Sequence, residues 1–241
     1  YRSMIKMLIK RDFVTYYKQT VLGPIWFFIQ PLFQAAINLF VFGSLAGIGP
    51  EGVPGFLFFL SGPILWQYFQ DCFTKIANVF VENQSVFGKV YFPRIIVPIS
   101  IIFSNLLKFG VQLLLLISVI IYYYLKTGIF YIGFEIIFFP FLLILIMMIS
   151  MGFGLIVTSL TSKYRDLRFV IEYGIPLLKY VTPGIATTFI IFENKLSSFI
   201  VQYNPLGYII DSFNCMFNGA GEIRIIPLLY ISLFSCCLLY L

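Results

Sequence analysis

Long apolar runs separated by short charged connections organise the chain. No charge occurs between Gln19 and Pro50, and the pattern predicts a membrane-spanning helix over 25–45. A second charge-free run predicts a span over 53–70, with Gly62-Pro63 marking a break or kink in its middle. The run 95–125 is interrupted only by Lys108, and 136–160 carries no charge at all. A weaker run over 170–192 contains Lys179, Pro176 and Pro183, and a last one covers 225–241. A β-barrel would need short alternating segments with polar lumen positions, and these runs are continuous. The fold expected is therefore an all-α membrane protein with six transmembrane helices, the whole of 1–241 forming one transmembrane domain. No segment resembles a cleavable signal peptide. Tyr1 is not read as a natural start, and the last run reaches the end of the sequence.

Three connecting segments are too patterned to be plain loops. Over 1–20, Met4, Ile5, Leu8, Ile9, Phe13 and Tyr16 recur near helical spacing, while Lys6, Lys10, Arg11 and Lys18 fall mostly opposite. This predicts an amphipathic helix lying at the membrane interface. Over 71–94, Phe73, Ile76, Ala77, Phe80 and Val81 share a face before Glu82-Asn83-Gln84-Ser85 breaks it. A short helix that is neither buried nor polar suits a docking surface for a soluble partner. Over 201–219, Asn204 can cap a helix whose first turn holds Pro205, and Asn218-Gly219 can end it. That body is too short to span and too apolar for a free loop, so a re-entrant helix on the outer side is expected.

Composition sharpens this picture. Of 241 residues, 60% are hydrophobic and only 11% charged, against about 25% charged in soluble domains. A soluble enzyme, a disordered chain and a disulfide-stapled secreted domain are excluded. Histidine is absent, which removes the commonest general base and metal ligand. The cysteines, Cys72, Cys215, Cys236 and Cys237, form no metal or redox motif. The net charge of +6 is unevenly placed. Eleven basic residues lie in 1–18, 71–94 and 161–172, and only Lys126, Lys195 and Arg224 lie in the alternate connections. That asymmetry puts the N-terminus, and after six spans the C-terminus, in the cytoplasm.

Candidate chemistry is sparse. Lys108 and Lys179 sit within predicted spans, where an ionisable group is functional by default. The run around Lys108 is 31 residues, about 46 Å as a helix, so the ammonium could also snorkel to the interface. Glu172 lies two helical turns from Lys179, too far for direct pairing. Trp26, Trp66, Tyr68 and Tyr122 to Tyr124 fall near span ends, as an interfacial belt would. Ser150, Gly154 and Thr158 form a small-residue stripe, suited to an internal or a subunit contact. No phosphate-binding loop and no catalytic set is present.

Seven motifs in order resemble the permease subunit of polysaccharide ABC exporters. They are Arg11-Asp12-Phe13, Tyr17 through Trp26 with Gln30-Pro31-Leu32, Val41-Phe42-Gly43, the stretch from Glu82-Asn83 to Lys89-Val90-Tyr91-Phe92-Pro93-Arg94, Tyr164-Arg165-Asp166-Leu167-Arg168, Thr182-Pro183, and Asn204-Pro205-Leu206. The resemblance implies a transport subunit without an ATPase site, acting as a homodimer with a separate ATPase that binds ATP and magnesium. It implies that Glu82, Asn83, Gln84, Ser85, Phe87 and Lys89 form the coupling segment against that ATPase. It further implies a lipid-linked polysaccharide substrate of the O-antigen type, in the bacterial inner membrane, with no nucleic-acid role. Trp26, Gln30, Trp66, Lys108, Tyr203 and Tyr208 are the candidate path residues. Teichoic acid, capsule, a smaller lipid or drug, and a non-transporting scaffold of glycan assembly remain alternatives at this point. Gly184-Ile185-Ala186 departs from the bulkier run expected after Thr182-Pro183.

Overall fold

A computed structural model describes residues 2–18, 23–45, 47, 52–83, 92–164, 166–185, 203–219 and 223–240. Among them all regular structure is helical, with no strand. The helices are α1 (Arg2–Lys18), α2 (Trp26–Asn38), α3 (Gly55–Ala77), α4 (Val79–Glu82), α5 (Ile96–Thr127), α6 (Phe139–Lys163), α7 (Leu167–Val181), α8 (Pro205–Asn218) and α9 (Ile225–Tyr240). A wider π turn continues α2 to Leu45, and a 3₁₀ turn over Phe134–Phe138 leads into α6. Among the described residues three helical stretches are long and apolar enough to cross a membrane: Trp26–Leu45, Ile96–Thr127 and Phe134–Lys163. Helix α3 has the length at 23 residues but carries Asp71 and Lys75 in its last two turns. Helix α9, at 16 residues, is apolar and shorter.

Helix α3 is the axis of the bundle. It is buried along most of its length and packs against α6, α5, α8 and α2. Of the break or kink expected at Gly62-Pro63, the break does not occur: α3 runs through it as one helix. The glycine serves a close approach instead: a Cβ at Gly62 would lie 2.5 Å from the Gly184 carbonyl oxygen. The Ser150–Gly154–Thr158 stripe on α6 is an internal contact. A Cβ on Gly154 would sit 2.6 Å from Ile76 of α3. Thr158 donates its hydroxyl to the Ile76 carbonyl, and Thr161 donates to that of Ala77 at 2.5 Å. These carbonyls belong to the last turn of α3, where the helix itself supplies no donor. Two residues before Gly154 on α6, and so towards the opposite side of the helix, Gly152 meets Leu238 of α9.

Helix α1 forms over the predicted residues and is amphipathic. Leu8 is buried, Met4, Ile5, Ile9 and Phe13 are half-buried, and Lys6, Lys10 and Arg11 are exposed, with the apolar side laid on α5. Helix α7 starts before the predicted 170 and ends at Val181, because Thr182-Pro183-Gly184 turns the chain; 186–192 lies outside the described residues. Trp66 and Tyr68 are core residues, 1% and 2% exposed, and do not form an interfacial belt. Their rings pack on Phe69 and Phe109.

Candidate functional site

Two polar assemblies interrupt the apolar bundle. The first lies between α3 and α5. On α3, Gln67, Asp71 and Lys75 recur at i, i+4, i+8; on α5, Asn105, Lys108 and Gln112 recur at i, i+3, i+7. Both spacings place three side chains on one helical face. The Lys108 ammonium meets the Asp71 carboxylate at 2.7 Å, and Gln67 donates to the other Asp71 oxygen at 2.8 Å. Lys75 donates to Asn105 at 3.2 Å. Lys108 is 8% exposed, so it is held inward and does not snorkel. Gln112 is buried one turn further along, its amide nitrogen without a partner among the described residues.

Beyond Lys75 the chain turns at Asn78 into α4. Asn78 donates to the Thr74 carbonyl and Asn83 to that of Val79, so each turn is closed by a side-chain amide. A pocket of about 420 Å³ opens here, lined by Arg11, Asp12 and Thr15 of α1, Lys75 of α3, Glu82 and Asn83, and by Val97 and Ile101 of α5. Arg11 and Asp12 form an ion pair of 2.7 Å at its rim. Partial burial pushes the Glu82 carboxyl above its ordinary value, opposed by the charges of Arg168 and Lys75, although the side chain as a whole is exposed. The pocket thus joins α1, the end of the central helix and the start of the predicted coupling segment in one charged cleft.

The second assembly gathers where α8 meets α3 and the turn after α7. Asn204 caps α8, accepting from the Leu206 amide at 3.0 Å, and Pro205 occupies the first turn. Gly219, at φ +70°, closes the helix. Asn214 donates to the Gly184 carbonyl at 2.6 Å and accepts from Ser61 at 2.7 Å, while Asn218 donates to Ser61 at 2.8 Å. The departure at Gly184 has a physical reason. Its φ is +83°, and a Cβ there would lie 2.5 Å from Asp211. A bulkier residue cannot occupy this position in this packing.

The predicted site residues are therefore scattered. Glu82 and Asn83 line the charged cleft; Gln84, Ser85, Phe87 and Lys89 lie outside the described residues. Trp26, Gln30 and Tyr203 are exposed, Tyr208 is half-buried, and Trp66 is interior, donating to Gln70 at 3.1 Å. Sequence reasoning missed Asp71, Gln67, Lys75 and Gln112, although their helical spacing was a readable signal. It also missed Ser61, Asn214 and Asn218, for which Asn214 and Asn218 at i, i+4 was the only hint.

The profile of the family described as ABC-2 type transporter matches residues 3–217. An O-antigen export system permease protein RfbA from Klebsiella pneumoniae is 28% identical over 232 residues, covering 95% of this chain and 86% of that protein. A protein of the same name from Myxococcus xanthus is 22% identical over 242 residues, covering all of this chain and 90% of that one.

Proposed function

The chain belongs to the ABC-2 type transporter family, and from that premise we propose that it is the transmembrane subunit of an ATP-driven exporter of a lipid-linked polysaccharide of the O-antigen type. Support for the substrate class comes from the relatives named as O-antigen export permeases, which match along nearly the whole chain. The observation that carries the coupling part is the charged cleft at Glu82, where α1, α3 and α5 meet directly beside the predicted ATPase-contacting segment. A partner ATPase, with its ATP and magnesium, presses on 71–94. The push passes along α3, whose end is fastened to α6 by Thr158 and Thr161 and to α5 by Asp71–Lys108. Helix α1 lies along the cytoplasmic interface, and lipid-linked substrate is admitted beside it. Two copies of the chain, each with six spans and both termini in the cytoplasm, enclose the path, with α8 as the outer re-entrant element.

The test is reconstitution with a partner ATPase. The chain alone should hydrolyse no ATP. The complex should restore surface glycan to a host lacking its own exporter, and Glu82→Lys should keep the complex assembled while lowering export. ATP hydrolysis by the isolated chain, or normal export by Glu82→Lys, would overturn this reading.

A further inference from the structure

Helix α7 turns almost all of its large apolar side chains outward: Phe169, Val170, Tyr173, Leu177, Leu178 and Tyr180 are exposed. Its two deeply buried residues are Ile171 and, against the pattern, Lys179. Lys179 is 7% exposed, as buried as Lys108. Lys108 has Asp71. No ion pair or hydrogen bond joins the Lys179 ammonium to another described residue. The acid on its own helix, Glu172, is exposed and two turns away, and the charge acting on Asp211 is that of Arg224.

The setting is a junction between two helices. Lys179 stands twelve residues from the start of α7, about 18 Å along the helix, and the six-span reading proposed above sets that position within a hydrocarbon layer of about 30 Å. One turn on, the Thr182 hydroxyl accepts from the side chain of Asn204, the cap of α8, at 3.2 Å. Gly207 in the first turn of α8 fits against Pro183, where a Cβ would lie 2.6 Å from the ring. The N-terminus of the 14-residue α8, which carries partial positive charge, is thereby docked on the end of the helix that holds the buried ammonium. The C-terminal dipole of α7 favours a cation in its last turn, but that term is much smaller than the cost of desolvating an unpaired ammonium. An anion from outside the chain would balance it.

We propose that Lys179, at the α7–α8 junction, is a binding residue for a phosphate group, and that the group is the phosphate linkage of the lipid-borne substrate as it crosses. The proposal rests on the exporter reading above for the source of the phosphate, but not for the anion site itself. Lys179 holds the phosphate by charge and by its three N–H donors. Placed at membrane depth, it lets the phosphate leave water without travelling unpaired.

The experiment uses the full complex with its ATPase in nanodiscs. Farnesyl diphosphate, farnesol and inorganic phosphate are titrated against thermal stability, with Lys179→Met and Lys179→Arg beside the wild type. Farnesyl diphosphate should stabilise the wild type and the arginine variant. Its affinity should fall about tenfold or more in Lys179→Met, the loss expected for one charge-assisted contact, and farnesol should have little effect on any of them. Inorganic phosphate binding as tightly, and equally lost in Lys179→Met, supports the anion site and makes free phosphate its ligand. Equal affinity of wild type and Lys179→Met for farnesyl diphosphate, or equal binding of farnesol, overturns the proposal. Cooperative thermal unfolding and co-elution with the ATPase report that Lys179→Met is folded; if it is not, failure of farnesyl diphosphate to stabilise the wild type and Lys179→Arg overturns the proposal. Cell-surface glycan separates the two readings: no export by the wild type defeats the exporter reading, whereas wild-type export by Lys179→Met defeats only the role of Lys179.

Discussion

Removing one member of the Asp71–Lys108 pair strands the other. Lys108→Met leaves the Asp71 carboxylate with Gln67 as its remaining hydrogen-bond partner in the seam between α3 and α5. The expected loss is about 3 kcal/mol, the low end for a broken buried pair because Asp71 keeps some solvent access. Replacing both, as Asp71→Leu with Lys108→Met, should destabilise less than either single change, since no charge is left behind. Thermal unfolding of the purified protein reads both effects. Asp211 gives a pH test in α8, a helix too short to span. Burial pushes its carboxyl up to about 6, with Arg224 pulling it back. The folded chain therefore binds a proton that the unfolded chain releases near pH 4, its ordinary value being about 3.9. The resulting stabilisation is fully present below about pH 4 and is lost as pH rises through 6. Asp211→Asn should flatten that slope and unfold later at neutral pH, by about 2 kcal/mol, as melting curves at pH 5 and 8 would show.

Two glycines in long helices should respond with opposite sign. Gly154→Val pushes α6 off Ile76 of α3 and should cost about 2 kcal/mol, as overpacking does. Gly110 of α5 has open space around its missing side chain. Gly110→Ala should therefore be neutral or stabilise by up to about 1 kcal/mol through helix propensity. Chemical denaturation midpoints separate the two. Which helices exist was legible beforehand where the signal is local: the cap, the first-turn proline and the closing glycine of α8 fall at Asn204, Pro205 and Gly219, as the sequence pattern predicts. Contacts across the bundle were not legible. Lys108 finds its acid 37 residues away, and nothing local distinguishes that outcome from a snorkelling lysine. The end of α7 at Val181 depended on a turn whose Gly184 is fixed by Asn214 and Asp211, again residues of another helix. Hydrophobic runs report burial in lipid or protein alike, so Trp66 in the core and Trp26 on the surface read the same way.

At the scale of the molecule, one helix binds the rest together, and its grip comes late in the chain. The final carbonyls of α3 are held by hydroxyls at Thr158 and Thr161, 82 and 84 residues further on. A ribosome delivers α2, α3 and α5 to the bilayer before those hydroxyls exist. Until α6 emerges, the nascent protein holds a central helix whose Ile76 and Ala77 carbonyls lack the Thr158 and Thr161 hydroxyls and whose Ile76 lacks the groove made by Gly154. Biogenesis should accordingly have a threshold. Products halted at residue 130 should be cleared quickly by membrane proteases, whereas products halted at residue 170 should persist, as pulse-chase labelling would reveal. Thr158→Val with Thr161→Val in the longer product should shorten its half-life towards that of the shorter one.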